Sequence, residues 1–305
     1  MNGSLLGIAV VSVLILGPLL LRLAGLISGR QAALSAVADP PTAWNWKLTV
    51  SSALLYALAF NLTFFIQELF LVLPKALTPG LRPTLFHNNH SWEGDSPLAS
   101  LFQGTGALAI LITGFICALL LRRGSGRSPT ATLFLIWMAY NGFFQSLPQV
   151  IVGAVNPGND VGIAMDYLRF GTPLKMVMAL VALVAIPPLA LSLRRPLLSL
   201  AETPVLVVGS RGRTRFAFRV ATLPALMGTL LIIPFRVPRD WIEVVVLPLV
   251  VTVVGVAWIQ AGAWNVSGVR VGGRPAVRSL MYPLGALLVL FLVFQFVLRP
   301  GVRFY

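Results

Sequence analysis

Apolar residues dominate this chain in long runs that are separated by short polar connections. Eight of these runs are long enough to cross the hydrocarbon core of a bilayer, which takes a helix of about 20 residues. The predicted spans are approximately 5–27, 49–73, 101–121, 130–153, 174–193, 217–235, 242–264 and 280–298. No connection between them is long enough for a soluble domain. The pattern therefore predicts an all-α, polytopic membrane bundle of about eight transmembrane helices.

We interpret residues 1–305 as a single integral membrane domain with three parts. The parts are a leading span at 1–30, a three-helix core at 46–170 and a four-helix part at 173–305. The first apolar run has no basic segment before it and no clear small-residue cleavage motif after it. This favours a retained first span over a signal peptide.

Composition agrees with a membrane protein. The chain is 57% hydrophobic and 10% charged, and its mean hydropathy is +0.87. Its net charge of +14 comes from basic residues in the short connections. Basic connections of this kind face an anionic lipid surface, so membrane lipids are the expected partners, and no nucleic acid is expected. The basic stretch 204–219 is interpreted as a patch for lipid headgroups.

Lysine and arginine are distributed unevenly between the two ends of the predicted spans. With the N-terminus outside, fifteen of them fall on the cytoplasmic side and eight on the outer side. Because cytoplasmic loops carry the excess of Lys and Arg, we predict a bacterial inner membrane and an N-terminus outside. The connection between the second and third spans then also lies outside.

Polar residues inside two spans form stripes at helical spacing. In the second span the stripe is Asn61, Glu68 and Lys75, and in the fourth it is Asn141, Gln145 and Gln149. Hydrocarbon offers these groups no partner, so the two spans are predicted to pack together, with Glu68 either protonated or hydrogen-bonded by the amides. The predicted intramembrane polar cluster is Asn61, Glu68, Asn141, Gln145 and Gln149. It is interpreted either as structural glue or as a functional cavity.

Both histidines of the chain, His87 and His90, lie in the connection after the second span. Two imidazoles three residues apart suit a divalent metal such as zinc, and Asp160 is a candidate third ligand. The alternative interpretation is a loop that folds back on the bundle, with the histidines as hydrogen-bonding partners. The single cysteine, Cys117, falls within an apolar run and is predicted to be a buried thiol.

Residues 65–167 resemble the core of the site-2 metalloproteases, which are intramembrane zinc peptidases. Where that family has H-E-x-x-H, residues 67–71 read QELFL, so only Glu68 matches. The stretches 80–85, 104–109 and 156–160 are similar to later motifs of the family. The resemblance implies a protease-like core at 46–170, with Glu68 in the place of the general base and Asp160 in that of the aspartate ligand. Since both histidine ligands are missing, it also implies a pseudoenzyme.

Three functions are therefore open at this level. The first is a non-catalytic multi-pass membrane protein without a cofactor, which acts as an accessory or scaffold subunit of a larger membrane complex. The second is a metal-dependent intramembrane hydrolase with a rearranged zinc site, in which Glu68 is the base and His87, His90 and Asp160 are the ligands. The third is a proton-coupled transporter built on Glu68, Asn141, Gln145 and Gln149.

Overall fold

The protein is an all-α membrane bundle with a small sheet at one end. The computed structural model describes residues 3–33, 45–123, 127–269, 271, 277 and 279–305. In chain order the long helices are α1 (3–33), α2 (Trp46–Ala76), α4 (Thr105–Arg123), α5 (Pro129–Gly153), α7 (Thr172–Ser192), α9 (Gly209–Arg236), α10 (Ile242–Gly262) and α11 (Met281–Leu298). The short helices are α3 (Leu98–Phe102), α6 (Asp160–Tyr167) and α8 (Arg194–Leu198).

Seven of the helical segments in the described ranges are long and apolar enough to cross a membrane. The predicted span that is not among them is the fourth, which the structure folds as α5. This helix has 25 residues and is therefore about 37 Å long. Its polar stripe lowers its hydropathy, and most of its length is buried between other helices. Helix α5 is therefore long enough to cross the membrane, but its polar residues are typical of a helix that other helices surround.

The small sheet supports a crossing by α5. Strands β1 (Arg82–Leu85) and β2 (His90–Glu93) form a hairpin, and β3 (Val302–Arg303) pairs antiparallel with β1. The C-terminal strand thus lies at the end of the bundle where α2 finishes. Within the described ranges, six long helices connect β1 to β3, namely α4, α5, α7, α9, α10 and α11. An even number of crossings returns the chain to the same face, and the number is even only if α5 is counted.

These strands refine the all-helical prediction. The stretch 80–85, which is similar to a later motif of the site-2 metalloproteases, includes β1. The hairpin ends at Gly94, which has φ 93° and faces the carbonyl oxygen of Gly80 so closely that a Cβ atom would lie 1.9 Å from it. Glycine is required there both for the backbone conformation and for the close approach.

Helices α2 and α5 run side by side and in the same direction through the centre of the bundle. Trp137 Nε1 donates to Ser52 Oγ at 3.0 Å near one end of the pair. Gln149 Nε2 donates to Gln67 Oε1 at 2.8 Å near the other end. Helix α4 covers α5 where Gly142 lies against the backbone of Gly114. The central pair therefore positions both polar stripes in the protein interior.

Several other sequence-based predictions can be located. Cys117 is a buried free thiol in α4, as predicted. The parts proposed at 1–30, 46–170 and 173–305 correspond to α1, to α2 through α6, and to α7 through β3. Arg270, Arg274 and Arg278, which entered the orientation count, lie outside the described residues.

Candidate functional site

The hairpin brings His90 onto the end of α2, where it meets Glu68. The two side chains are both buried, and His90 Nδ1 lies 2.9 Å from Glu68 Oε2. The amides of α5 were the predicted partners of Glu68, but the structure gives it an imidazole from outside the helical stripe. The reason is that the β1–β2 connection folds back over the bundle, so a closer and more strongly bonding partner than an amide reaches the carboxylate.

Lys75 completes this arrangement from two turns further along α2. Its Nζ lies 3.0 Å from the carbonyl oxygen of Leu71, 3.1 Å from His90 Nε2 and 3.3 Å from Gln103 Oε1. An ammonium group has three N–H donors, and each has an acceptor here. With Nδ1–H of His90 donating to Glu68, Nε2 is the lone-pair nitrogen that accepts from Lys75. Glu68, His90 and Lys75 thus form a direct hydrogen-bonded chain, which we call the relay.

Two further residues shape the surroundings of the relay. Trp92 stacks on His90 with ring centroids 5.7 Å apart, and Lys75 Nζ lies 4.4 Å from the centroid of the Trp92 ring. Trp92 therefore covers the relay. Asp160, at the start of α6, has a pKa above its ordinary value because burial and the charge of Glu68 disfavour its ionised form, although His90 and Lys75 partly offset this.

Below the relay, the amides of α5 bond to α2 and to one another. Gln145 Nε2 donates to the carbonyl oxygen of Phe60 at 3.1 Å and to Asn141 Oδ1 at 3.2 Å. Asn61 Nδ2 donates to the carbonyl oxygen of Ala57 at 2.8 Å. Two buried acceptors, Asn61 Oδ1 and Gln145 Oε1, have no hydrogen-bond partner among the described residues. Both of these atoms would need a hydrogen-bond donor as a partner.

Polar groups continue along α2 towards its other end. Tyr56 OH lies 2.6 Å from Thr252 Oγ1, which in turn lies 2.7 Å from Thr229 Oγ1. One turn earlier Ser52 Oγ donates to the carbonyl oxygen of Val220 at 2.6 Å, and Thr49 Oγ1 donates to that of Arg219 at 2.9 Å. We call this series the polar track; its α2 members are Thr49, Ser52, Tyr56, Asn61, Gln67 and Glu68. Its members occur at intervals along α2, from the first turns of the helix to the relay.

His87 lies elsewhere on the same face of the bundle. Its neighbour Asn88 donates through Nδ2 to the carbonyl oxygen of Phe235 at 2.8 Å, which fixes the connection against the end of α9. The His87 ring is buried, and within the described residues its ring nitrogens have no well-aligned hydrogen-bond partner, although the backbone of Val237 lies close enough to act on its pKa. Burial first, and then the charges of Arg239, Arg299 and Arg236, hold the pKa of His87 below its ordinary value.

The structure therefore does not gather His87, His90 and Asp160 into one set of metal ligands. Both ring nitrogens of His90 are hydrogen-bonded within the relay, and three arginines near His87 repel a cation. In the described ranges, no group of three or more His, Cys, Asp or Glu residues is arranged to hold a metal ion. The zinc site remains a prediction that this geometry does not support.

Sequence patterns located part of this site. The spacing of seven identified Asn61, Glu68 and Lys75 as one face of α2, and the second interpretation of the histidine connection matches the position of His90. Gln103 and Trp92 were not assigned to the site. Gln103 follows a short helix and carries no spacing signal, and its role arises only because α3 packs beside the hairpin.

Comparisons with family models, curated proteins and solved structures give no match to this chain. The resemblance to the site-2 metalloproteases accordingly stays a prediction that rests on the quoted motifs. Function therefore has to be inferred from the geometry of the relay and of the polar track.

The lowered pKa of His87 predicts acid sensitivity of the fold. In the folded protein the ring stays neutral, whereas in the unfolded chain it takes up a proton near its ordinary pKa of about 6.5. As pH falls below that value, the unfolded state binds more protons, and the free energy of unfolding decreases by up to about 1.4 kcal/mol per pH unit. Thermal unfolding at pH 7.5 and 5.5 should show a smaller loss for His87→Gln than for the wild type. Equal losses in both proteins would contradict this assignment.

Proposed function

We propose that the protein is a proton-coupled membrane transporter in which the Glu68–His90–Lys75 relay binds and releases the coupling proton. The observation that carries the proposal is a hydrogen-bonded chain of three titratable side chains, buried at the end of a polar track through the bundle. In this proposal the membrane is the bacterial inner membrane, and the relay lies at its outer face.

The bonding of the relay supports proton exchange. In one state Lys75 is charged, His90 is neutral and the Nε2 lone pair accepts from Lys75. Transfer of that proton to Nε2 gives neutral Lys75 and a His90 imidazolium, whose Nδ1–H still donates to the Glu68 carboxylate. Both states keep the same heavy-atom contacts of about 3 Å, so no side chain has to move for the proton to shift. Intramembrane carboxylate and histidine groups arranged in this way are typical of proton pathways.

The polar track supports a route for polar species across the bundle. Interiors of membrane bundles are usually apolar, and polar groups are retained where they bond helices together or line a pathway. Most groups of the track have hydrogen-bond partners. Within the described part of the chain, the exceptions near the middle of α2 are Asn61 Oδ1 and Gln145 Oε1, and both are acceptors. Because the missing partner is a donor, the coupled solute is expected to carry N–H or O–H groups.

The other two functions keep the status of predictions. For the accessory-subunit hypothesis, the exposed apolar faces of the described helices do not distinguish a protein partner from lipid. For the rearranged hydrolase, Glu68 has the chemistry of a base, but its carboxylate is hydrogen-bonded to His90, which that hypothesis assigns as a metal ligand. The relay therefore favours proton exchange over either alternative.

Proton flux in reconstituted vesicles tests the proposal. Proteoliposomes carry an internal pH-sensitive dye, and a potassium diffusion potential drives protons inwards, first alone and then with added sugars or amino acids, which carry O–H or N–H groups. We expect the wild type to acidify the interior in at least one condition. Glu68→Gln should slow this flux by about tenfold or more, because it removes the carboxylate that is bonded to His90.

Glu93→Gln is the matched control, because Glu93 is exposed on β2 in the same hairpin. It should leave the flux unchanged, so a decrease in both variants would point to a loss of reconstituted protein. Wild-type vesicles without proton flux under every condition, or a Glu68→Gln variant as active as the wild type, would refute the proposal.

A further inference from the structure

A large cavity opens at the end of the bundle opposite the relay. It has a volume of 1190 Å³ and lies between the end of α4, the start of α5, the segment from α7 to α8, and the residues that follow α10. Ala118, Leu121 and Pro188 form part of its wall along the helices. Its polar part contains four arginines, Arg122, Arg127, Arg194 and Arg195.

The charge around this cavity is entirely positive. Among the described residues that line it there is no aspartate or glutamate to neutralise the four arginines. Like charges repel one another, as Arg195 acts on Arg194 here, and an anion between the arginines reduces that repulsion. The same residues lie on the side that the positive-inside count assigns to the cytoplasm.

Two of the arginines are fixed in place by backbone carbonyl groups. Arg194 donates from Nε to the carbonyl oxygen of Leu191 at 2.8 Å and from Nη1 to that of Gly262. Arg127 donates from Nη1 to the carbonyl oxygen of Leu120. Each guanidinium has five N–H donors, so most of them remain for a ligand after these bonds. A planar fork held in this way matches the oxygens of a phosphate group.

The cavity wall has a charged part and an apolar part, and this combination indicates which kind of phosphate compound the cavity binds. A soluble phosphate compound needs only the arginines. The apolar part of the wall belongs to α4 and α7, and both helices also expose apolar side chains, including Ile116, Leu119 and Val184. This surface suits acyl chains that lie in the bilayer while the headgroup reaches the arginines.

We propose that this cavity binds an anionic phospholipid, with its phosphate group between Arg122, Arg127, Arg194 and Arg195. The site is separate from the relay and does not depend on proton transport. It also differs from the basic stretch 204–219, which we interpret from the sequence as a patch for lipid headgroups.

Lipid retention by the full-length protein tests this site. The protein is purified in a neutral detergent, stripped of lipid and titrated with phosphatidylglycerol, with phosphatidylcholine or with glycerol 3-phosphate. Native mass spectrometry counts bound lipid, and thermal unfolding gives the apparent affinity. We expect phosphatidylglycerol to bind and stabilise the wild type more than phosphatidylcholine does. The double variant Arg122→Gln/Arg195→Gln, which keeps the backbone-bonded arginines, should weaken phosphatidylglycerol binding by about tenfold or more.

The matched control removes the same amount of charge from the opposite face. Arg82→Gln/Arg303→Gln lies in β1 and β3 and should bind phosphatidylglycerol as the wild type does. Wild-type affinity in the Arg122/Arg195 double variant, or equal weakening in both double variants, would overturn the site. Stabilisation by glycerol 3-phosphate equal to that by phosphatidylglycerol would overturn the lipid assignment in favour of a soluble phosphate compound.

Discussion

Lys75→Met is expected to lower the free energy of unfolding by about 3–5 kcal/mol, because it breaks a buried charge network by removing one member. The Lys75 side chain is fully buried, and its loss leaves His90 Nε2 and Gln103 Oε1 without their donor. It also removes the cation nearest to Glu68 and Asp160, both of which act electrostatically on Lys75. Methionine has a similar volume, so the effect reports the charge and its hydrogen bonds. Equilibrium unfolding in mixed micelles measures it.

Lys175→Met provides a matched comparison at the protein surface. Lys175 pairs with Asp166 in a partly exposed ion pair, in which the Lys175 side chain is 12% exposed and the Asp166 side chain 51%. Surface ion pairs contribute about 0–1 kcal/mol, so this variant should lose little stability. The double variant Glu68→Gln/Lys75→Met should lose about 1–3 kcal/mol less than the sum of its single variants, because it removes both signs of charge together. Strict additivity, or a Lys75→Met variant as stable as Lys175→Met, would show that the relay is not a coupled network.

The helical framework could be predicted from the sequence because it follows from local physics. A run of apolar residues of membrane length has one stable conformation in hydrocarbon, so each predicted span is a helix in the structure. The contact between α2 and α5 follows from the same reasoning, since hydrocarbon cannot hydrogen-bond the side-chain amides of Gln145 and Gln149. Even the low hydropathy of α5 agrees with this, because its polar stripe is tolerated only where protein covers it.

The partner of Glu68 could not be predicted in this way, because it depends on contacts distant in the chain. His90 reaches the carboxylate only when β1 pairs with β2 and the hairpin folds over α2. The hairpin is also held by β3, more than 200 residues after β1. A single sequence does not show which residues of two strands pair when the strands lie so far apart along the chain. For the same reason, a metal site at His87 and His90 looked plausible from spacing, whereas the fold gives their side chains different neighbours.

The proposal of proton transport also depends on the close packing of α4 on α5. We therefore expect a second large loss of stability when this packing is disturbed. Gly142→Ala should lower the free energy of unfolding by about 3 kcal/mol, the upper end of the usual cost of overpacking. A Cβ atom at Gly142 would lie 2.6 Å from both Gly114 Cα and the carbonyl oxygen of Ile110. Both contacts are with the backbone of α4, which cannot rotate away as a side chain can. Helices α4 and α5 would therefore have to separate.

Gly285→Ala is the control that isolates this steric effect. Gly285 lies in α11, and a Cβ atom there meets nothing within 4 Å. Because alanine is the better helix former by about 0.5–1 kcal/mol, this variant should be unchanged or slightly more stable. Thermal unfolding of the two variants in the same detergent compares them directly. If Gly142→Ala is as stable as Gly285→Ala, α4 and α5 do not pack backbone to backbone at this point. Close packing of α4 on α5 would then not be what holds Gln145 against α2.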